Sequence, residues 1–218
     1  MSDARAAGGE ANQASTVSSG SAARADSDLA ELISARVRDI ADYPQPGIVF
    51  KDITPLLADG SAFAAVVAAL AAGHGEGGEG REGGEGREGW RGKVSKVAGI
   101  EARGFIFAAP VALTMGAGFV PVRKQGKLPA ATYTETYQLE YGTATIEVHA
   151  DAFEPGDRVL IVDDVLATGG TAAATARLVR RAGAEVAAIT VLLELGFLDG
   201  RSRLSGLDVR SLLYLPGG

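Results

Sequence analysis

One stretch of this chain does more than any other to restrict the fold: Val159-Leu-Ile-Val-Asp-Asp-Val-Leu-Ala-Thr-Gly-Gly-Thr171. Four consecutive apolar residues, Val159 to Val162, read as a strand buried on both faces, which is the mark of a parallel sheet covered by helices on each side. The strand runs into two carboxylates, Asp163 and Asp164, and then into a Thr/Gly turn that opens a helix over Gly170–Ala182, with Gly183 placed to stop it. Gly169 and Gly170 let backbone N–H groups approach an anion closely, and Thr168 and Thr171 add hydroxyl donors. The helix N-terminus adds its positive dipole end, so the turn is built as a phosphate cradle. The two acids beside it would repel a bare phosphate. They make sense if the ligand also carries sugar hydroxyls or a bound metal, and the combination points to a phosphorylated sugar. An ordinary strand-to-helix turn has little packing reason for this composition. No G-x-x-x-x-G-K-[ST] occurs, so the turn is not a P-loop.

The rest of the chain fits an alternation of strands and helices. Apolar spacing at Leu29, Leu32, Ile33, Val37 and Ile40 predicts a helix over Asp28–Asp42, ended by Tyr43-Pro-Gln-Pro-Gly47, with Ile48-Val49-Phe50 extended. Ala62–Ala72 reads as a helix, Val94–Ile100 as a strand, Phe105–Met115 as a helix and Phe119–Val122 as a strand. Tyr137–Leu139 and Thr145–Val148 alternate polar and apolar residues around Glu140-Tyr141-Gly142, a hairpin pattern. Glu185–Leu193 is a further apolar strand. Ligands of such sheets bind beyond the C-terminal strand ends, which directs attention to the loops after Ile100, Val122, Val162 and Leu193.

Composition removes several alternatives. The 218 residues suit one α/β domain with appendages. Zero cysteines exclude disulfides, thiolate zinc and a cysteine nucleophile, and two histidines, His74 and His149, leave little for a multi-histidine metal centre. A net charge of −6 argues against a nucleic-acid partner. Gly104–Val122 carries no charge but is divided by Pro110, Gly116, Gly118 and Pro121, so it reads as a helix and a strand rather than a membrane span. A cytoplasmic protein with no membrane partner is the expectation.

Two segments stand apart. Residues 1–27, rich in Ala, Ser and Gly and without a secretory apolar core, are expected to form a disordered leader. Much of the excess among 30 glycines lies in 74–92, where Glu-Gly-Gly-Glu-Gly-Arg occurs at Glu76–Arg81 and again at Glu82–Arg87. With almost no apolar side chains to offset the cost of ordering, 74–92 is expected to be a flexible insertion in a domain spanning 28–218.

The segment Val159–Thr171 resembles the ribose-phosphate-binding motif of type I phosphoribosyltransferases, and further motifs narrow the resemblance to the adenine phosphoribosyltransferase family. Asp42-Tyr-Pro-Gln-Pro-Gly-Ile-Val-Phe-Lys-Asp-Ile-Thr-Pro55 is similar to that family's N-terminal motif and Gly99-Ile-Glu-Ala-Arg-Gly-Phe105 to its pyrophosphate loop. Val122-Arg-Lys-Gln-Gly-Lys-Leu-Pro129 and Tyr137-Gln-Leu-Glu-Tyr-Gly142 are similar to its basic and flexible-loop motifs. The motifs appear in family order from about Asp28 to the C-terminus, interrupted only by the Gly/Glu/Arg insertion.

The resemblance implies the type I phosphoribosyltransferase fold: a mostly parallel twisted sheet flanked by helices, with a small hood and a flexible active-site loop. It implies a pentosyltransferase, a glycosyltransferase of purine salvage, that converts adenine and 5-phosphoribosyl-1-pyrophosphate (PRPP) into AMP and pyrophosphate as a homodimer. Mg²⁺ is the implied cofactor, held mainly through PRPP without an assigned protein ligand. By the same resemblance, Ala167, Thr168, Gly169, Gly170 and Thr171 hold the 5′-phosphate, and Asp163 and Asp164 contact the ribose hydroxyls. Arg103, with Arg123, Lys124 and Lys127, binds pyrophosphate, the last three partly from the other subunit. Val49, Phe50 and Lys51 line the adenine site opposite Leu195, Lys51 standing where the family often has Arg. Glu140 is implied near adenine N7 as a catalytic group, Tyr141 as part of a lid, and the Glu101–Ala102 peptide as cis.

Each residue also has a plainer reading. Arg123, Lys124 and Lys127 suit a solvated basic turn, Glu140-Tyr141-Gly142 a hairpin tip, and Phe50 the core. Two other functions are weighed. A PRPP-binding regulator would need a DNA-binding domain, for which the segment before Asp28 is short and acidic. A transferase for oxopurines would want a donor such as lysine near position 6 of the base, and Val49-Phe50 with Leu195 suits an amino-purine better.

Overall fold

A computed structural model of the chain describes residues 14–72, 93–138 and 142–217. The expected insertion 74–92, the leader before residue 14, and Glu140 and Tyr141 lie outside the described residues. Helix α1 (Ala14–Ser34) is followed by strands β1 (Arg38–Ala41) and β2 (Val49–Asp52), helices α2 (Thr54–Ala58) and α3 (Gly60–Ala71), strand β3 (Lys96–Ile100), and helix α4 (Gly104–Met115). Strands β4 (Gly118–Lys124), β5 (Thr132–Gln138), β6 (Thr143–His149) and β7 (Arg158–Leu166) come next, then helix α5 (Gly170–Arg181) and strands β8 (Glu185–Leu195) and β9 (Val209–Leu215). Two short 3-10 turns, Gly196–Leu198 and Gly200–Leu204, join β8 to β9.

Seven strands form one sheet in the order β5-β6-β4-β3-β7-β8-β9. The pairs from β4 through β3, β7 and β8 to β9 are parallel, while β6 runs antiparallel to both β4 and β5. Residues of β7 alternate between two cores. Leu160 and Val162 pack with Phe107, Val111, Leu56 and Leu192 on one face, while Val159 and Ile161 pack with Leu178, Val179 and Ile189 on the other. That alternation explains the unbroken apolar run, since both faces are buried, and truncating Phe107 to Ala would cost about 3–5 kcal/mol.

Most elements lie where the pattern predicts them, and the apolar stretch after Arg103 is the helix α4 and strand β4. Among the described residues no helix is long and apolar enough to cross a membrane. Two differences concern the N-terminal region. The predicted helix over Asp28–Asp42 ends at Ser34, and Arg38–Ala41 is instead a strand paired antiparallel to β2. Ion pairs across this hairpin, Arg38 to Asp52 at 2.6 Å and Lys51 to Asp39 at 2.8 Å, together with the ladder itself, outweigh the helical spacing of Val37 and Ile40. The hairpin turn needs left-handed backbone at Asp42 (φ 57°) and Gly47 (φ 87°), and Tyr43–Pro44 is cis. At its other end α1 starts at Ala14, upstream of the expected Asp28 boundary. In α3 the Asp59 side chain caps the backbone N–H groups of Ser61 and Ala62 and pairs with Arg36 at 2.7 Å, tying α3 to the end of α1.

Candidate active site

The parallel strands β3, β4 and β7 end on the same edge of the sheet, and there a cavity of about 420 Å³ opens. Its walls come from Ile100–Arg103 after β3, from Val122 and Lys124 of β4, from the Asp163–Val165 end of β7, and from Ala167 and Thr171 of the turn into α5. Three of the four loops singled out by the strand pattern therefore meet. The fourth, after Leu193, does not line the cavity, and β8 continues to Leu195.

Asp163 and Asp164, near the C-terminal end of β7, line this cavity. Asp164 is 5% exposed, and its backbone N–H donates to Asp163 Oδ1 at 2.9 Å. Burial, and then the charge of Asp164, push the Asp163 carboxyl well above the usual aspartate range. Asp164 is also raised by burial, with Arg103 pulling it back. Arg103 Nε lies 2.5 Å from Asp164 Oδ2, and its guanidinium sits 4.9 Å from the centroid of the Phe50 ring. Space for the acids depends on Gly104: a Cβ there would stand 2.8 Å from Asp163 Oδ1 and 3.0 Å from the Val162 carbonyl oxygen.

The turn Ala167–Thr171 precedes α5 as expected. Gly169 is the N-cap residue in left-handed conformation (φ 76°), which glycine adopts without strain. The following N–H groups of the first helical turn have no intrahelical acceptor, and so suit an anion. The Thr171 hydroxyl donates to Tyr137 Oη at 3.0 Å, bringing the end of β5 against the turn. Arg177 with Glu135 at 2.5 Å, and Arg181 with the Thr134 carbonyl at 3.1 Å, continue this clamp along α5.

On the opposite wall is a residue to which the sequence reading assigned no binding role. Glu101 accepts from Lys124 N at 3.0 Å, Arg123 Nε at 3.3 Å and Lys127 Nζ at 3.0 Å. Desolvation opposes its charge, but these donors outweigh it and hold the Glu101 carboxyl below its ordinary value. The Glu101–Ala102 peptide is cis. A second unassigned acid, Glu147 of β6, is 3% exposed and accepts from the backbone N–H groups of Lys127 and Leu128, each at 2.9 Å. Despite burial, its backbone donors at Gly126, Leu128 and Lys127 hold it low. The three basic residues thus span the end of β4 and the turn after it, with Lys124 lining the cavity and Arg123 and Lys127 drawn to Glu101. Glu147 occupies a polar position of the alternating stretch Thr145–Val148, so nothing in the sequence sets it apart, and Glu101 lies inside a motif whose arginine draws the binding role.

The expected base-binding residues are less gathered. Val49, Phe50 and Lys51 lie on β2, where the Lys51 ammonium is engaged by Asp39 and Phe50 meets Tyr43 edge-on at 5.2 Å. None of them, nor Leu195, lines the cavity; Phe50 joins it through Arg103. Among the described residues no group of three or more His, Cys, Asp or Glu side chains gathers as a metal cage.

The chain matches the family model of the phosphoribosyl transferase domain over residues 57–206. A relative from Acidothermus cellulolyticus, named adenine phosphoribosyltransferase, is 60% identical over 186 residues, covering 85% of this chain and 97% of the relative. The crystal structure of adenine phosphoribosyltransferase from Thermoanaerobacter pseudethanolicus superposes with a TM-score of 0.75 at 49% identity, covering 85% of this chain and 99% of that one. The Saccharomyces cerevisiae enzyme, crystallised with an imino-altritol bisphosphate and adenine, gives a TM-score of 0.77 at 35% identity, covering 86% and 99% of the two chains. With the parallel sheet, the paired acids and the Thr/Gly turn at one cavity, these likenesses mean that the chain belongs to the phosphoribosyltransferase family, among its adenine phosphoribosyltransferases, which are pentosyltransferase enzymes.

Proposed function

We propose that this enzyme makes AMP and pyrophosphate from adenine and PRPP, in purine salvage in the cytoplasm. One observation carries the reading: the Asp163–Asp164 pair, the Ala167–Thr171 turn and Arg103 border a single cavity at the C-terminal edge of the parallel strands. Such a cavity suits a sugar with a phosphate at one end and an anionic leaving group at the other. The yeast relative's crystallisation with adenine and a bisphosphate imino sugar supports the same pair of ligands.

The chemistry follows from the residues. The C1–O bond to pyrophosphate breaks with its electron pair leaving on oxygen, the ribose gains cationic character, and adenine N9 forms the new C1–N bond. No enzyme nucleophile is required, since positioning and electrostatics suffice. The backbone N–H groups and hydroxyls of Ala167, Thr168, Gly169, Gly170 and Thr171 take the 5′-phosphate. Asp163 and Asp164 accept from the ribose hydroxyls and stabilise the developing cation. Arg103 and Lys124 face the leaving pyrophosphate, with Arg123 and Lys127 drawn from Glu101 toward it. Val49, Phe50 and Lys51 with Leu195 form the adenine side, and Glu140 manages the adenine proton while Tyr141 excludes water.

Mg²⁺ fits the charge of this site. The cations lining the cavity, Arg103 and Lys124, are offset by Glu101, Asp163 and Asp164, so a polyphosphate donor needs neutralisation that the protein does not supply. The ion would be held mainly by the donor's own oxygens, with Asp163 and Asp164 at its ribose side, and would neutralise charge on the leaving pyrophosphate.

A homodimer is part of the proposal. Helix α4 is apolar on all sides, and it buries Phe107, Ala108, Val111 and Ala112 while leaving Ile106 40% and Leu113 84% exposed. A second copy of the chain would cover this face and could bring its own basic turn toward the site.

The test is AMP formation from adenine and PRPP with Mg²⁺, run beside guanine, hypoxanthine and xanthine. Product from adenine alone, abolished by a chelator and by the double change Asp163→Asn with Asp164→Asn, is the expected result. Saturable PRPP binding without any nucleotide product would point to a non-catalytic sensor instead.

A further inference from the structure

Behind the phosphate turn lies a charged cluster that the reaction does not use directly. Glu194, 4% exposed, is the last residue of β8 before Leu195. The Arg201 guanidinium grips it with two bonds, Nε to Oε1 at 2.6 Å and Nη2 to Oε2 at 2.7 Å. Ser211 of β9 adds a hydroxyl donor to Oε2 at 2.7 Å, and Arg201 Nη1 donates to the Val209 carbonyl oxygen at 2.8 Å. These donors hold the Glu194 carboxyl below its ordinary value although desolvation opposes the charge. Stability alone is a weak reason for such a pair, because an apolar pair of similar volume commonly serves as well.

What the pair does set is the position of the residue before Arg201. Gly200 touches the phosphate turn backbone against backbone. A Cβ on Gly200 would run into the Ala167 carbonyl oxygen and come within 3.1 Å of Gly169 N, and a Cβ on Gly169 would run into the Gly200 carbonyl oxygen. Neither side of this contact has a flexible side chain that could yield. Asp199, just before it, holds a left-handed conformation (φ 48°), so the chain reverses sharply between Leu195 and Arg201. The guanidinium fork, fastened to β8 and β9, is therefore the anchor that keeps Gly200 against Ala167–Gly169.

We propose that Arg201, held by Glu194 and Ser211, is a positioning residue for phosphoribosyl transfer: through Gly200 it fixes the 5′-phosphate turn relative to the end of β8, where Leu195 lies. The proposal rests on the reading of Ala167–Thr171 as the phosphate cradle. It sets the spacing between the phosphate and base ends of a bound nucleotide, a spacing in which errors near an ångström are costly.

Two variants test it, with Arg201→Met alone as the reference for stability. Arg201→Lys keeps the charge and loses the two-pronged geometry. The double change Glu194→Met with Arg201→Met removes both charges, so that neither is left buried without its partner. Binding of AMP by calorimetry, KM for PRPP, KM for adenine, kcat and thermal melting are measured for each. Both variants are expected to weaken AMP binding and to lower kcat/KM for PRPP by about tenfold, with KM for adenine changed less than about threefold. The double variant should regain melting temperature lost by Arg201→Met alone while keeping the binding defect. Wild-type affinity for AMP and PRPP in either variant, whatever its melting temperature, overturns the positioning role. Wild-type protein that binds neither AMP nor PRPP overturns the cradle assignment, and the proposal with it.

Discussion

The Arg103 guanidinium is shared between Asp164, whose Oδ2 it meets at 2.5 Å, and the face of Phe50, 4.9 Å from the ring centroid. One side chain therefore links the acidic end of β7 to the strand expected to hold the base. Removing it takes a positive charge from the pocket and leaves a buried carboxylate without its counter-charge. Arg103→Ala should lower kcat/KM by about 10²–10³-fold, the range for loss of one electrostatic contact to a transition state. Because Arg103 opposes the burial-driven rise at Asp164, the acid limb of the pH–rate profile should also move to higher pH. Steady-state rates across pH check both; an unmoved limb would detach Arg103 from Asp164.

Asp163 illustrates a conflict between stability and chemistry. Its carboxyl is raised in the folded state by burial and by Asp164, so the folded protein binds this proton more tightly than the unfolded chain does. By linkage its contribution is full below the unfolded aspartate range, about pH 4, and is lost as pH rises toward the folded value. At neutral pH, above the unfolded range, Asp163 therefore costs stability, and Asp163→Asn should melt higher than the wild type while turnover falls by about 10²-fold or more. Melting curves from pH 4 to 8 without ligand are the check, and a lower melting temperature in the variant would refute it.

Glu147 has the opposite sign. Desolvation opposes its charge, but backbone N–H groups at Gly126, Leu128 and Lys127 hold it below the usual glutamate value, so its stabilisation is present above about pH 4.5 and lost as pH falls below it. Glu147→Ala leaves those N–H groups without their acceptor. The melting temperature should fall by several degrees at neutral pH, and KM for PRPP should rise about three- to tenfold as Lys127 loses its register. A drop in stability with unchanged KM would restrict Glu147 to a structural role.

The outer face of α4 provides a test of assembly. Leu113, at 84% exposure, is the most exposed of the large apolar side chains described. If the proposed dimer forms through this face, Leu113→Glu should give monomer in sedimentation where the wild type gives dimer, with little change in the fold of the isolated chain. A variant that stays dimeric would move the interface elsewhere.

The segment between α3 and β3 enters the sheet at Lys96, where β3 begins, while the cavity opens after Ile100 at the other end of that strand. Four residue steps along a strand put the two ends about 13 Å apart. Deleting Gly75–Gly89 should therefore leave kcat/KM within about twofold, and a large loss of turnover would assign the segment a catalytic part.

Much of this protein was legible in one dimension because its physics is local. The run Val159–Val162 is apolar since both sides of β7 are buried, and Gly169 precedes α5 since the turn needs left-handed backbone. The paired acids and the Thr/Gly turn are contiguous in sequence, so their chemistry could be inferred without coordinates. Other features come from distant segments, and there no spacing rule applies. Helical periodicity through Val37 and Ile40 pointed to a longer helix, but pairing with β2 and the Arg38–Asp52 and Asp39–Lys51 ion pairs decided for a strand. Glu101 and the basic turn are more than twenty residues apart in sequence and meet only because β3 and β4 lie side by side. Likewise, Gly200 supports Ala167 and Gly169 across segments that follow the neighbouring strands β8 and β7, and Arg103 meets both Asp164 of the seven-stranded sheet and Phe50 of the separate β1–β2 hairpin. Local backbone preference and burial pattern were written in the sequence; the pairing of charges across the site was decided by which strands became neighbours.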